Sequence, residues 1–311
     1  MPKKILVHYP TNVSETGQIG SAIRKFYDRL LASLTEITTN FEIIPTMDPE
    51  LRRSEDFNHI TYHTHKKGEN NLNVKMGYLK EYFYLDDTGY SGWSSIRKTK
   101  LPKDIDPDAA EAFWEGLNQR YIMTGATKYD GLPHERASEL PQNYIAVFLQ
   151  VANDAVLKFA NFDTEAMVNG VIAAAEGQPV VIKRHPACNS FQTHGILHYA
   201  KARNSNVTEA THPVHEVIAN ATKVVCVNSG TGFEALMQLK PVFNCGQSDY
   251  GHVTRLVKQP EDFAQAFAER PASPRQIKTF LYWYLSMNMF NAEEPGFTSR
   301  LQKRLDERGW I

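Results

Sequence analysis

A histidine and two cationic side chains follow a short apolar run in the second half of this 311-residue sequence. The stretch VVIKRHP spans residues 180–186, so Lys183, Arg184, His185 and Pro186 come at the end of a predicted buried strand. In open α/β sheets, ligands bind outside the carboxyl ends of the strands. An imidazole can donate a hydrogen bond to a phosphate oxygen or protonate a departing phosphate. We therefore predict that His185 faces an anion, although an isolated His-Pro pair is more often an ordinary loop.

A glycine-rich turn leads into a predicted helix at SGTGFEAL, residues 229–236. Free N–H groups at a helix N-terminus bind anions, and its small and hydroxyl residues would admit a phosphate: Ser229, Gly230, Thr231 and Gly232. Glu234 has two interpretations, a hydrogen bond to a ribose hydroxyl or a capping box with Thr231. The turn has neither a Walker motif nor GxGxxG, so neither ATP hydrolysis nor dinucleotide binding is indicated.

Three carboxylates are candidates for chemistry at a sugar carbon. Asp154 follows the predicted strand at 144–149 by a short loop, where it could act as nucleophile or base. An N-cap or turn role is the alternative for Asp154. Asp86 and Asp87 precede the segment TGYSGWSS and are the second candidates, with an ordinary turn as their alternative.

Polar residues end four predicted strands of the second half, and parallel strands bring their carboxyl ends to one edge of a sheet. The set comprises Gln150, Asp154, Lys183, His185, Asn228, Ser229 and the Gly246–Tyr250 loop. Together they predict a ligand site at that edge. His63 and His65 have alternate spacing but no evident third ligand, so we predict no metal site.

Composition excludes several classes of protein. Lys and Arg number 34 against 35 Asp and Glu, a formal net charge of −1, so no overall field favours nucleic acid. The hydrophobic fraction of 42% is typical of a folded chain. The start of the sequence has no signal-peptide pattern, and no apolar run reaches membrane-helix length. Cys188, Cys226 and Cys245 lack CxxC spacing and are expected to be reduced thiols in a cytoplasmic protein.

Alternating strands and helices must position these side chains. The pattern after the Pro-bracketed segment 132–142 is typical of a parallel sheet with helices on both faces. We predict an N-terminal Rossmann-like domain over 1–140, a nucleotide-sugar-binding Rossmann-like domain over 141–275 and a C-terminal helical segment over 276–311. A helix is expected over 273–289.

The motifs resemble those of a known family. FLQVANDAVL (148–157), VVIKRHP (180–186) and VVCVNSGTGFEALMQLKPVFNCGQSDY (224–250) are similar to the bacterial capsule polysaccharide biosynthesis family, which contains retaining β-Kdo glycosyltransferases that use CMP-Kdo. LDDTGYSGWSS is similar to the family's acidic-glycine segment, but Thr88 interrupts its acid-acid-Gly run. The resemblance implies a GT-B-like α/β fold, with two Rossmann-like domains facing a central cleft and a C-terminal helix crossing back to the first domain.

The resemblance also implies roles for individual residues. His185 and Pro186 look like the family's His-Pro motif at the donor phosphate, and Asp154 like the residue that forms a covalent sugar intermediate. Asp87 is a further catalytic candidate. The implied donor-binding set is Gln150, Lys183, Pro186, Asn228, Ser229, Gly230, Thr231, Glu234 and Tyr250.

The partners implied by the resemblance are a CMP-sugar donor and an oligosaccharide or glycolipid acceptor. No metal or other cofactor is expected, nor is nucleic acid. The expected location is cytoplasmic, with peripheral contact with the inner face of the cytoplasmic membrane left open.

Two other functions remain open from the sequence. A nucleotide-sugar epimerase of the same architecture would also use a His-Pro loop and a Ser-Gly helix start. Such an epimerase would be expected to have an acid before that serine and a Glu pair after it, whereas this sequence has Asn228 and a single Glu234 followed by Ala235. A non-catalytic partner in glycan synthesis is the third interpretation, and the presence of Asp154 with His185 argues against it.

Overall fold

The computed structural model describes residues 2–11, 18–46, 54–128 and 139–311. Most of the predicted inter-domain segment at 132–142 therefore lies outside the described residues. None of the helices in these ranges is long and apolar enough to cross a membrane.

Strands and helices alternate along most of the described chain. The strands are β1 Ile5–Pro10, β2 Phe41–Thr46, β3 Asn58–Tyr62, β4 Asn71–Met76, β5 Tyr82–Asp86, β6 Tyr144–Phe148, β7 Val180–Lys183, β8 Val207–Glu209, β9 Ala221–Cys226, β10 Val242–Asn244, β11 Arg255–Leu256 and β12 Phe290–Asn291. The α-helices are α1 Gln18–Ile37, α2 Pro107–Leu117, α3 Thr164–Ala174, α4 Phe191–Arg203, α5 Val214–Ala219, α6 Gly230–Met237, α7 Phe263–Ala268, α8 Pro274–Tyr282 and α9 Phe297–Asp306.

The chain divides into two compact units, one of which is discontinuous in sequence. The first unit contains Met1–Thr99 and Tyr284–Ile311, and the second contains Lys100–Trp283. The sequence placed these boundaries after residues 140 and 275. The first boundary lies earlier in the structure because α2 belongs to the second unit, where the indole Nε1 of Trp114 donates a 2.8 Å hydrogen bond to the carbonyl of Met237.

In the first unit, the described strands form a sheet in the order β12-β5-β4-β3-β1-β2. Pairing is parallel from β2 through β1 and β3 to β4, and antiparallel between β4 and β5 and between β5 and β12. One face of this sheet is apolar and packs against α1 and α9, and the Phe26 ring contacts the rings of Phe83 and Phe297. The C-terminal helix α9 thus completes the core of the first unit.

The other face of this sheet is buried but polar. It includes His8, His59, Thr61, Asn73 and Asp86, each at most 4% exposed. Thr61 and Asn73 lie on β3 and β4, two strands that the sequence pattern did not predict. The hydrophobic pattern does not identify these strands, because their buried residues on this face are polar and a polar residue is usually expected on a solvated face.

The second unit contains the Rossmann-like sheet that the sequence predicted. Its described strands run in the order β11-β10-β9-β6-β7-β8, and every pairing is parallel. Strands β6 and β7 are apolar on both faces, as expected for parallel strands covered by helices. The chain runs from β6 outward to β8 and then returns to place β9 on the other side of β6. A topological switch point therefore lies between β6 and β9, where open α/β sheets bind ligands.

The fold class predicted from the sequence is confirmed: the chain is an α/β protein of two mostly parallel-sheet units with GT-B-like, Rossmann-like topology. The predicted long helix at 273–289 is α8, which continues as a π-helical turn at Trp283–Asn288. The last helix, α9, lies within the predicted C-terminal helical segment over 276–311.

Candidate functional site

The site is centred on the switch point, where polar side chains follow β6, β7 and β9. Gln150 and Asn228 follow the two central strands and are both buried. The Gln150 amide nitrogen donates to the Asn228 side-chain oxygen at 3.1 Å, and the Asn228 backbone N–H donates to the Gln150 side-chain oxygen at 3.1 Å. These paired amides link the two strand ends beneath the loops that carry the predicted chemistry.

Asp154 is exposed and starts a short 3₁₀ helix at Ala155–Phe159. One carboxylate oxygen, Oδ1, accepts a hydrogen bond from the Val156 N–H at 3.2 Å. The N-cap interpretation of Asp154 is thus confirmed. It leaves chemistry open, since Asp154 is solvent-accessible and has a second carboxylate oxygen.

The charges of Asp154 and Lys183 both act on the pKa of His185. Burial lowers the pKa of His185, the Asp154 carboxylate acts to raise it, and Lys183 acts to lower it further. The Ala187 N–H donates to His185 Nδ1 at 3.1 Å. Because Nδ1 accepts this bond, the neutral ring carries its proton on Nε2. The predicted His185–Asp154 neighbourhood is therefore present in the structure, with Nε2–H as a donor.

The two basic residues before His185 have different surroundings. Lys183 is partly buried, and desolvation lowers the pKa of its ammonium group. Arg184 instead donates to His194 at 2.6 Å and lies 3.8 Å from the Glu209 carboxylate. Lys183 thus belongs to the group around His185, and Arg184 forms contacts with α4 and β8. Pro186, which follows His185, is exposed.

The turn before α6 has the geometry of a capped helix N-terminus. Ser229 is the N-cap, and its hydroxyl oxygen accepts hydrogen bonds from the Thr231 N–H at 3.3 Å and from the Thr231 hydroxyl at 2.9 Å. The capping-box interpretation of Thr231 with Glu234 is therefore wrong, because the cap lies two residues earlier. Glu234 is buried within α6. Gly230 is the first helical residue, so the N-terminus begins where the sequence predicted an anion site.

The sequence suggested that Gly232 lets a phosphate approach the backbone, but the structure gives another reason for this glycine. A Cβ at this position would lie 2.6 Å from the Tyr250 hydroxyl and 2.8 Å from Cys226 Sγ. The missing side chain thus admits neighbouring protein atoms, and ligand approach is not the reason for this glycine.

Tyr250 stabilises the loop at Ser229 by a hydrogen bond to its backbone. Its ring is fully buried, and its hydroxyl donates to the Ser229 carbonyl at 2.7 Å while accepting from the Asn244 amide at 3.1 Å. The sequence predicted that Tyr250 contacts the nucleotide-sugar donor, whereas in the structure its hydroxyl bonds to the backbone of Ser229, in the loop before α6 that is here called the phosphate loop.

Cys188 is a residue whose position sequence reasoning missed. Burial acts to raise the pKa of its thiol, but hydrogen bonds with Thr193 and with the backbone of Ser190 and Ala152, together with the positive charge of Arg184, outweigh this effect and lower the pKa. The thiol therefore connects the His185 loop to the loop that carries Asp154. A cysteine two residues after a His-Pro pair is the signal that could have identified it.

The acidic candidates of the first unit are engaged in structural contacts. Asp86 is buried and accepts hydrogen bonds from a single loop, from Thr88, Gly89, Ser94 and Ser95. Asp87 forms ion pairs with Arg304, at 2.9 Å, and with Arg308. These contacts match the turn alternative for Asp86 and give Asp87 two cationic partners within its own unit.

The histidine pair in the first unit packs against aromatic rings. The His65 ring stacks on Trp93 with centroids 4.6 Å apart, and His63 lies 5.3 Å from the Tyr90 ring. In the described ranges, no group of three or more His, Cys, Asp or Glu side chains is arranged to hold a metal ion.

Two solved structures from one bacterium have a similar fold. One is the beta Kdo 2,7 transferase of Thermosulfurimonas dismutans KpsC. It superposes with a TM-score of 0.58 at 17% identity, over 97% of this chain and 99% of that one. The other is the beta Kdo 2,4 transferase of KpsC, which gives a TM-score of 0.54 at 16% identity over 90% of each chain. At these identities the likeness establishes the fold.

Sequence comparison gives one curated relative and one family. Protein FixF of Sinorhizobium fredii (strain NBRC 101917 / NGR234) is 27% identical over 255 residues, which cover 76% of this chain and 59% of FixF. The chain thus spans less than two thirds of that relative's length. The model of the family named capsule polysaccharide biosynthesis protein matches residues 72–282, a segment that contains every strand and loop of the site described above. This chain belongs to the capsule polysaccharide biosynthesis family, as the resemblance of its motifs predicted.

Proposed function

We propose that the chain is a glycosyltransferase that moves Kdo, or a related ulosonic acid, from a CMP-sugar donor to a bacterial surface glycan. The observation that carries this proposal is the placement of Asp154, His185 and Ser229 after the adjacent parallel strands β6, β7 and β9, at one edge of the sheet. A carboxylate beside phosphate-binding groups suits a displacement at a sugar carbon that bears a phosphate leaving group. The family membership and the KpsC-like fold support the same proposal.

The donor phosphate would bind between the His185 loop and the N-terminus of α6. His185 Nε2–H is a hydrogen-bond donor, the N-terminus of α6 contributes the positive end of its dipole, and Lys183 adds a cation to the same neighbourhood. Such fixed donors stabilise the negative charge that grows on the departing CMP. These groups supply the charge stabilisation, so the proposal assigns no metal or other cofactor.

The carboxylate of Asp154 would act as the nucleophile. One of its oxygens forms a bond to the anomeric carbon while the bond from that carbon to the CMP phosphate oxygen breaks, and the electron pair leaves with CMP. The oxygen of an acceptor hydroxyl then bonds to the anomeric carbon as the bond to Asp154 breaks, which releases the hydroxyl proton to water and restores the free carboxylate. Two inversions give overall retention. The acceptor in this proposal is an oligosaccharide or glycolipid met at the inner face of the cytoplasmic membrane.

The epimerase interpretation is less well supported by the geometry before Ser229. The Asn228 side-chain nitrogen donates to the carbonyls of Val156 and Gln247, at 2.9 and 3.2 Å. A carboxylate at this position would face two carbonyl oxygens and repel both. The local structure therefore suits an amide where the epimerase pattern would have an acid.

Two aspartates with the same local role allow a matched test. Asp163 is the N-cap of α3 and accepts a 2.8 Å hydrogen bond from Ala166 N–H, as Asp154 accepts one from Val156. Since Asn is also a good N-cap, Asp154→Asn and Asp163→Asn should both stay folded. We expect Asp154→Asn to keep CMP affinity but lose transfer by roughly 10³-fold or more, the scale on which a nucleophile acts. Asp163→Asn should transfer at the parental rate.

The measurements are calorimetric CMP titration, transfer assayed with CMP-Kdo and an acceptor screen, and mass spectrometry after incubation with donor alone. The unsubstituted protein should gain one sugar mass on the peptide that contains Asp154. Full transfer by Asp154→Asn, or a sugar trapped on another carboxylate, would refute the nucleophile. Binding of UDP in place of CMP would refute the donor class.

A further inference from the structure

The side-chain amides of Gln150 and Asn228 form hydrogen bonds with protein groups. Gln150 uses its side-chain oxygen and nitrogen in the reciprocal contact, and Asn228 uses its side-chain oxygen and backbone N–H, with both distances 3.1 Å. Asn228 donates its side-chain N–H groups to the carbonyls of Val156 and Gln247. Asn228 is 2% exposed, so a donor molecule could reach these groups only by displacing protein contacts. The sequence assigned both residues to donor binding, and the geometry favours a different role.

The segments that meet at Asn228 are those that carry the site. Val156 lies in the 3₁₀ helix that Asp154 caps, and Asn228 itself precedes Ser229. Gln247 follows β10, and its N–H donates to the Phe159 carbonyl at 3.1 Å, at the end of the same 3₁₀ helix. One side chain therefore connects the Asp154 segment, the phosphate loop and the loop after β10.

We propose that Gln150 and Asn228 are positioning residues, which hold the Asp154 carboxylate in register with the phosphate loop at Ser229. This inference rests on the proposed function, because it assumes that Asp154 reacts with a donor. The hydrogen bonds that link Gln150, Asn228 and Val156, here called the clamp, are a feature of the fold. Gln150 fixes the Asn228 amide from β6, and Asn228 then fixes the 3₁₀ helix through Val156. Misplacement of a reacting group by about 1 Å can cost on the order of 100-fold in rate, so such a clamp matters for transfer more than for binding.

A second glutamine bridges the same two strands at the opposite edge of the sheet and provides a matched control. The side-chain nitrogen of Gln178 donates to the Asn143 carbonyl at 2.6 Å and to the Thr222 hydroxyl at 2.7 Å. Asn143 directly precedes β6, and Thr222 lies at the start of β9. Gln150→Leu and Gln178→Leu therefore remove equivalent bridges, one at the carboxyl edge and the other at the amino edge.

The test compares these two variants in the full chain by hydrogen exchange, CMP titration and steady-state kinetics. We expect faster exchange in the peptides covering 151–160 in Gln150→Leu, and unchanged exchange there in Gln178→Leu. We further expect kcat to fall by on the order of 10- to 100-fold in Gln150→Leu, with CMP affinity and donor KM little changed. Gln178→Leu should retain the parental kcat.

Each outcome decides between roles. Parental exchange over 151–160 in Gln150→Leu would overturn the clamp regardless of activity. A loss of CMP affinity as large as the loss of kcat would return Gln150 to direct donor binding and overturn positioning. An equal loss of kcat in both variants would mean that the two glutamines act only through the general stability of the sheet, which would overturn the positioning role. If exchange changes as expected but the unsubstituted protein binds no CMP, the clamp stands and the proposed function fails.

Discussion

A single hydrogen bond decides which nitrogen of the neutral His185 ring carries the proton. Ala187 N–H occupies Nδ1, and burial lowers the pKa of the ring, so the neutral form with a proton on Nε2 is favoured. The negative charge of Asp154 acts to raise the same pKa, so this carboxylate lies in the neighbourhood of the ring. The ring can therefore donate to a phosphate oxygen without first becoming charged.

Replacement of His185 should therefore weaken donor binding. We expect His185→Ala to reduce CMP affinity by about 1.5–3 kcal/mol, the range for hydrogen bonds to charged groups. His194→Ala is the control, because His194 is exposed on α4 and pairs with Arg184. Isothermal titration of both variants with CMP checks the expectation. Equal affinities in His185→Ala and the parent, with both folded, would remove His185 from the phosphate site.

The residue types that form the site could be predicted from the sequence, but the partition of their roles could not. Asp154, His185 and Ser229 were identified because each follows a strand of the predicted parallel sheet. Gln150, Asn228 and Tyr250 were identified for the same reason, yet their polar atoms bond to protein groups. Whether a strand-end amide contacts a ligand or a neighbouring loop depends on contacts between distant segments, which one sequence does not specify.

At the scale of elements, α6 is held close to β9 and to the loop after β10. The absence of a side chain at Gly232 lets the helix pack on Tyr250 and Cys226, and Tyr250 in turn bonds the Ser229 carbonyl. The orientation of the anion-binding N-terminus therefore depends on a close contact in the first turn of the helix.

An added methyl group at Gly232 should disturb this packing. The new Cβ would lie 2.6 Å from the hydroxyl of the fully buried Tyr250. We expect Gly232→Ala to destabilise the protein by about 1–3 kcal/mol, the usual cost of overpacking. Gly195→Ala on α4 is the control: nothing lies within 4 Å of its new Cβ, and Ala favours helix by about 1 kcal/mol. Urea unfolding followed by circular dichroism measures both, and a stabilised Gly232→Ala would contradict the close contact.

The strands differ in how well their sequences predicted them. Strand β7 was predicted with its observed bounds, Val180–Lys183, because a fully apolar run is the usual pattern of a central parallel strand. Strands β3 and β4 carry polar residues that are buried on the second face of their sheet, such as Thr61 and Asn73. Hydrogen bonds satisfy them: Asn73 donates to the carbonyls of Lys66 and Asp86. Tertiary contacts of this kind override the hydrophobic pattern.

At the scale of the whole chain, the first unit depends on residues from both ends of the sequence. Phe297, Leu301 and Leu305 of α9 belong to the apolar core formed with α1 and the first sheet. Asp87 pairs with Arg304 and Arg308 on and just after the same helix. The acidic pair that the sequence offered as catalytic candidates thus includes a residue that fastens the C-terminal helix to its unit.

The second unit is continuous in sequence, and this gives the last prediction. Its apolar core is formed by residues that all lie between Lys100 and Trp283. Asp154, His185 and Ser229 lie in the same segment, so a fragment of Lys100–Trp283 should fold and bind CMP as the full chain does. A Met1–Thr99 fragment should not fold, because it lacks α9 and β12. Circular dichroism melting and CMP calorimetry test both fragments. A folded Lys100–Trp283 fragment without CMP affinity would show that donor-binding groups lie elsewhere in the chain.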